Sequence, residues 1–420
     1  MPFEINRGTR KVRKRIVYVH HGKGIGGAPL SLLYLINMLD SNLYEAFVVC
    51  LHDSAAADLY RKKGLKVIAG LGVTSFAHTT VYWYRWYELH RIAIAFWYQI
   101  KTALFIAPKL YREHRPDLVH LNTSTLLGWG IAAKLMKIPV VCHVREPLAD
   151  GYFGLRKNLI RYLTHWFTTA FISICCYDGS KLVQSEKINV VYNFVNFRQF
   201  NRELMGEHIR RALGISSDAK IVLYLGGMSR IKGLLELLQS AEFFLGENCC
   251  LVIAGKMWTE ATGSKKKLLY LLKKFKIHVY RNQVEEQLKK LRQLNPKNSI
   301  ITVGVRNDIP ELLAISNLLV FPAVVPHFAR PIIEAAAMGK PSVASALGGV
   351  VELIDDGITG TLIQPGNPKL LGEAILRLLS NPEKCREMGE NAYQRAKDLF
   401  DDRKNSGEIF SIYEKILSGK

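Results

Sequence analysis

The 420-residue chain predicts an α/β protein built from two doubly wound parallel-sheet domains. Three observations carry this expectation. Short β-branched runs recur along the whole length, each is followed by a longer amphipathic stretch, and the series restarts after a break near residues 193–220. Runs that are apolar throughout belong to strands buried on both faces, the condition of a parallel sheet covered by helices on each side. The length exceeds what one ordinary core spans and suits two.

In chain order, the first series of runs is Arg15–His20, Phe47–Leu51, Lys66–Ala69, Asp117–Leu121, Val140–Val144, Phe171–Ile174 and Val190–Tyr192. The second is Ile221–Leu225, Leu251–Ala254, Ile300–Val303, Leu318–Phe321, Ser342–Ala344 and Thr361–Ile363. The expected organisation is a first domain over residues 1–195, a linker over 196–219, a second domain over 220–398 and a terminal helical segment over 399–420. Ile409, Phe410, Ile412, Tyr413, Ile416 and Leu417 form a helical stripe that must pack on one of the two domains.

Apolar residues make up 49% and charged residues 22%, an ordinary globular composition. The seven cysteines show no CxxC pair and no zinc spacing, so reduced, mostly buried thiols in a cytoplasmic protein are expected. The basic amino terminus is not followed by a signal-peptide apolar region. No cluster of Asp, His or Cys has metal-ligand spacing, and no metal is expected. The net charge is +21, with 25 basic against 12 acidic residues over 1–195 and 32 against 24 in the remainder. Such a field attracts nucleic acid, an anionic membrane or anionic small substrates. No nucleic-acid-binding signature accompanies it, so nucleic acid is not an expected partner.

After the first strand, His20–Ser31 reads HHGKGIGGAPLS. Glycines permit a tight turn, and a helix beginning near Pro29 would aim free amides at an anion. The spacing Gly22, Gly24, Gly27 also satisfies the dinucleotide fingerprint, with Asp53 where a ribose-binding acid would sit. An NAD(P)-dependent oxidoreductase is therefore one alternative, and a turn with no ligand another. In the second half, Ile221–Gly233 reads IVLYLGGMSRIKG. Arg230 and Lys232, just before a helix opening at Leu234, suit a diphosphate, or are simply a solvated basic turn. Leu319–Gly349 reads LVFPAVVPHFARPIIEAAAMGKPSVASALGG and places Glu334 in an apolar helix. A buried carboxylate needs a partner, which ribose hydroxyls would supply.

The stretch Pro331–Gly366 resembles the donor-binding region of glycosyltransferase family 4, retaining enzymes of the GT-B fold. The whole chain, from Arg15 to Leu417, follows that family's order. Gly26-Gly27 matches its first glycine loop, and Pro116–His120 its fourth strand. Val141–Glu146 (VCHVRE) matches the strand ending in an active-site histidine, and Tyr192–Asn196 the segment entering the interdomain linker. The resemblance implies two facing Rossmann-like domains with a donor site in the cleft between them. It implies a metal-independent retaining transfer from a nucleotide-diphosphate sugar, with no further cofactor, to a glycan or lipid-linked acceptor in cell-surface polysaccharide assembly.

By the same resemblance Glu334 meets the nucleotide ribose, Lys232 the diphosphate and His143 the donor sugar. Phe328 and Ala329 offer backbone amides to sugar and phosphate, Gly304, Val305 and Arg306 lie beside the base, and Gly26 and Gly27 line the donor site. The departing phosphate takes the acceptor proton, so His143 orients the donor and need not be a base. Two departures stand out. The first glutamate of the family pair falls at Pro326, and the arginine five residues before the lysine falls at Gly227, leaving Arg230 to replace it. They keep open the alternative of a non-catalytic subunit of the same fold.

Two segments mix aromatics with cations. Val81–Trp97 contains Tyr82, Trp83, Tyr84, Trp86, Tyr87, Phe96 and Trp97, interrupted by Arg85 and Arg91. Phe153–Phe167 sets Leu155, Leu159, Ile160, Leu163 and Trp166 beside Arg156, Lys157 and Arg161. Neither is an uncharged span long enough to cross a bilayer. Their composition is that of an interfacial segment, which predicts peripheral attachment to the anionic inner face of the plasma membrane, or else of side chains packing in the first domain.

Overall fold

The computed structural model describes residues 13–76, 89–246, 248–257, 269–295 and 299–419. The chain divides into two units, Met1–Tyr192 with Arg403–Lys420, and Asn193–Asp402. The stretch 196–219, read as a linker, thus belongs to the second unit, where it contains the helix Glu207–Ala212.

The first unit holds β1 (Lys14–His20), β2 (Tyr44–Cys50), β3 (Lys66–Ala69), β4 (Leu118–Leu121), β5 (Val140–Val144), β6 (Ala170–Ser173) and β7 (Ile188–Val190). They form one sheet in the order β3-β2-β1-β4-β5-β6-β7, every pairing parallel. The second unit holds β8 (Lys220–Tyr224), β9 (Cys249–Ala254), β10 (Ile300–Gly304), β11 (Leu318–Phe321), β12 (Ser342–Ser345) and β13 (Gly360–Ile363). Their order is β10-β9-β8-β11-β12-β13, again parallel throughout. All thirteen apolar runs are strands; Lys66–Ala69, Val140–Val144 and Leu318–Phe321 match at both ends, and no end is displaced by more than three residues. Exposed or polar flanking residues such as Lys14 and Lys220 join the ladders because backbone pairing does not require an apolar side chain.

Burial explains the run-like pattern. On β1, Val17 and Val19 enter the aliphatic core with Val119, Leu121, Val140, Cys142 and Trp129. The alternate residues Tyr18 and His20 are equally buried on the opposite face. Tyr18 lies level with His120 on β4, their rings 5.1 Å apart. The helix Asp402–Leu417 contributes Tyr413 to this polar-aromatic layer, its hydroxyl 2.7 Å from His120 Nδ1. The carboxy-terminal stripe therefore packs within the first unit. The second core gathers Val222, Tyr224, Leu251, Ile253, Val320 and Val343 from the strands with Leu234, Leu237, Leu238 and Ile375 from covering helices.

In each sheet strand order reverses beside one strand. β1 lies between β2 and β4, and β8 between β9 and β11. The crevice beyond the carboxyl ends at such a switch point is where open α/β sheets bind ligands.

Candidate functional site

At the switch point of the second sheet, β8 runs into the turn Leu225–Gly233 and β11 into the loop Pro322–Ala329. Gly227 has φ +59°, and a Cβ there would lie 2.7 Å from the Lys256 carbonyl oxygen. In this backbone a side chain at the position would be strained, so the turn requires its glycine. Gly233 has φ +74°, and a Cβ on it would meet the Pro322 carbonyl oxygen at 1.7 Å. The turn and the loop are thus in backbone contact, reinforced by the Val324 N–H donating to the Ile231 carbonyl at 3.0 Å.

This clamp defines where Lys232 sits. Burial lowers its pKa and the nearby Glu334 carboxylate opposes that. Arg230 stands exposed on the same turn. Glu334 lies on the helix Arg330–Ala337, and the expectation that it lacks a protein partner is corrected here. One turn earlier on that helix, Arg330 Nε donates to its Oε1 at 2.8 Å, and their side chains are only 8% and 12% exposed. Burial raises the Glu334 pKa, while the charges of Arg330 and then Lys232 restrain it. Two cations around one buried carboxylate leave the group a net positive centre, suited to an anion bearing hydroxyls. The helix after Lys232, Leu234–Ser240, has seven residues and contributes little dipole of its own.

Phe328 and the buried Ala329 immediately precede the Arg330 helix. Gly304 (φ +65°) closes β10, with exposed Val305 beyond it. Arg306 forks onto Asp308, its Nε 2.8 Å from Oδ1, which raises the arginine's pKa and lowers the aspartate's. β9 separates this group from the Lys232 turn, although Gly255 N–H donates to Gly304 O at 2.7 Å and joins the strand ends.

Sequence reasoning passed over one residue of the loop. His327 Nδ1 lies 2.8 Å from the Val325 carbonyl, its ring packs on Phe321 with centroids 5.1 Å apart, and its Nε2 is buried. A histidine in an irregular loop has no periodic signal; only its place beside Pro326 marked it.

In the first unit, the chain leaves β1 at His20 and reaches the helix Gly27–Asn37 through the glycine loop, with Gly26 extended at its amino end. Asn122, just past β4, donates its amide to His20 Nδ1 (3.0 Å) and accepts from Arg145 Nε (2.6 Å). His143 on β5 has its Nδ1 3.3 Å from His120 Nε2 and 3.4 Å from Arg145 NH2. Arginine only donates, so His143 Nδ1 accepts and its proton resides on Nε2. That Nε2–H is buried without a hydrogen-bond partner among the described residues. His120 then carries its own proton on Nε2 and accepts from Tyr413 at Nδ1. Burial, the Arg145 charge and His120 hold the His143 pKa well below the ordinary value. The residue is a neutral donor.

Asp53, the acid of the dinucleotide alternative, lies on the exposed surface and pairs with Arg61 at 2.7 Å. Among the described residues, no three His, Cys, Asp or Glu side chains gather in a metal-holding group, and no helix is long and apolar enough to cross a membrane.

The two Rossmann-like parallel-sheet units are those of the GT-B fold. The family model described as Glycosyltransferase Family 4 matches residues 25–199, and Glycosyl transferases group 1 matches 206–395. The chain belongs to glycosyltransferase family 4. It is 24% identical over 329 residues to the N-acetyl-alpha-D-glucosaminyl L-malate synthase of Bacillus anthracis, covering 76% of this chain and 80% of that one. It is 25% identical over 396 residues to the Campylobacter jejuni N,N'-diacetylbacillosaminyl-diphospho-undecaprenol alpha-1,3-N-acetylgalactosaminyltransferase, covering 91% and 94%. An Anabaena protein crystallised with UDP and glucose superposes with a TM-score of 0.74 at 21% identity, covering 96% and 100% of the two chains.

Proposed function

We propose that this glycosyltransferase transfers a sugar, with retention, from a nucleoside-diphosphate sugar to a glycan or lipid-linked acceptor in cell-surface polysaccharide assembly. The observation that carries the reading is the Lys232–Glu334–Arg330 group at the second sheet's switch point. In it, Glu334 accepts from ribose hydroxyls, and Lys232 and Arg230 meet the diphosphate charge that grows as the bond to the sugar breaks. No metal ion or other cofactor is required, because the cations are supplied by side chains. Phe328 and Ala329 amides support the sugar-phosphate, Gly304, Val305 and Arg306 the base, and Gly26 and Gly27 the donor. His143 donates from Nε2 to the sugar and orients it. Holding no lone pair there, it is no base, and the departing phosphate accepts the acceptor's proton.

The UDP and glucose of the Anabaena structure favour a uridine nucleotide, and the C. jejuni relative's name favours a lipid diphosphate acceptor. Peripheral attachment to an anionic inner leaflet belongs to the same reading, drawing on the basic first half and its exposed apolar residues. The test is a thermal shift with UDP, GDP and NADH, followed by product analysis with the matching sugar nucleotides. UDP or GDP should raise the melting temperature by mass action. Stabilisation by NADH and by neither nucleoside diphosphate would end the reading.

A further inference from the structure

The loop Pro322–Ala329 holds a polar atom that no described protein group explains. His327 Nδ1 faces the Val325 carbonyl at 2.8 Å, and a carbonyl only accepts, so Nδ1 carries the ring proton. A neutral imidazole has one N–H, which leaves Nε2 as a bare lone pair. That atom is buried without a hydrogen-bond partner among the described residues. Burial lowers the ring's pKa from its ordinary value and the Lys232 charge adds to it, against the Val325 hydrogen bond that raises it, so the net shift favours the neutral ring and its lone pair. Its position is not loose: the Phe321 ring backs it, and the Gly233–Pro322 and Val324–Ile231 contacts clamp its loop to the Lys232 turn.

We propose that His327 Nε2 accepts a hydrogen bond from a hydroxyl of the transferred sugar, serving where Pro326 has removed the carboxylate. The inference rests on the reading of the second unit as a site for a nucleoside-diphosphate sugar. A bare acceptor does not suit phosphate, which at neutral pH offers acceptors of its own; it suits a hydroxyl. Of the ligand's hydroxyl-bearing parts, the ribose falls to Glu334. Glu334 and His327 each feel the Lys232 charge, so with the ribose at Glu334 and the diphosphate at Lys232 the transferred sugar is the hydroxyl-bearing part left for His327. A neutral nitrogen holds a hydroxyl less tightly than a carboxylate does, so the contact adds selectivity without dominating affinity.

The experiment compares affinities for UDP and UDP-glucose, and for GDP and GDP-mannose, in the full-length protein and two variants. His327→Asn keeps a donor near the Val325 carbonyl but loses the Nε2 acceptor; His327→Gln returns an acceptor to that reach. Melting temperatures establish that both are folded. For the nucleotide pair that binds, His327→Asn should weaken the sugar nucleotide about tenfold while leaving the nucleoside diphosphate within twofold, and His327→Gln should restore most of the loss. Equal weakening of both ligands would place His327 on the phosphates and overturn the inference, as would an unchanged ratio. Failure of both nucleoside diphosphates to bind the parent protein would overturn the donor-site reading and this inference with it.

Discussion

His20 is fully buried beside Arg145, and burial, then the His21 ring and the arginine charge, lower its pKa to about 3. The unfolded chain takes up this proton near the ordinary value of about 6.5, whereas the folded one resists until the pH is far lower. Stability contributed by the neutral ring is complete above the unfolded pKa and is lost as pH falls towards the folded one. His20 alone should cost roughly 2 kcal/mol between pH 7 and pH 5, and His120 and His143 act in the same direction. Guanidinium melts at the two pH values measure this, and equal midpoints would show these rings are not neutral and buried together. In the second unit, Lys232→Ala should lower turnover by about 10²–10³-fold with a smaller change in nucleotide affinity, because the charge counts most when the phosphate leaves. Glu334→Gln should weaken nucleotide binding by roughly tenfold and also leave Arg330 without its anion. A pair of variants with unaltered kinetics would misplace the site.

At the scale of elements, the two aromatic-cationic segments divide by face. On the helix Leu89–Lys101, Phe96 packs on Phe76 with ring centroids 4.9 Å apart, while Trp97 is 61% exposed together with Leu89, Ile94 and Ile100. Leu104 and Phe105 extend that exposed face through the π-helical turn Thr102–Ile106. On the helix Leu155–Phe167, Ile160 and Phe167 are core residues, whereas Leu155, Leu159, Tyr162 and Trp166 form an exposed stripe at helical spacing, preceded by exposed Phe153. Trp83 and Trp86 lie outside the described residues. The core-facing and the exposed residues of these helices are therefore different, and the exposed ones are those that the proposed membrane attachment would use. Trp97→Ser with Trp166→Ser should leave the melting temperature nearly unchanged and release the protein from anionic vesicles. Phe167→Ala should cost about 3–5 kcal/mol. Low salt should strengthen vesicle binding, at about 1 kcal/mol per basic residue near the surface. Equal sedimentation of the parent with neutral and anionic vesicles would refute the electrostatic part.

At the scale of the whole molecule, the chain's last helix completes its first unit. Tyr413 reaches His120 across 293 positions of sequence, and Asn405 donates to the Tyr192 carbonyl at 3.0 Å. Tyr413→Phe should destabilise the first unit by about 1–3 kcal/mol, since His120 Nδ1 then lacks its donor. Nucleotide affinity in the second unit should be unaltered, which calorimetry on the folded variant checks. A loss of nucleotide binding without loss of stability would contradict the assignment of this helix to the first unit.

The amino-acid sequence by itself determined the thirteen strands, the parallel class and the family, because strands buried on both faces are continuous apolar runs and the glycine and Glu334 segments have fixed spacing. The Arg330–Glu334 pair was legible too, as an i,i+4 spacing on one helix, and was passed over. Other features arise only from folding. Which aromatics face the core depends on helix rotation against a sheet. The tautomer of His143 depends on Arg145, His120 and a tyrosine from the chain's far end. The lone pair of His327 depends on a carbonyl two residues away that only the loop's path brings to its ring. Local pattern reports burial and periodicity, whereas proton position and exposed faces are set by neighbours distant in sequence.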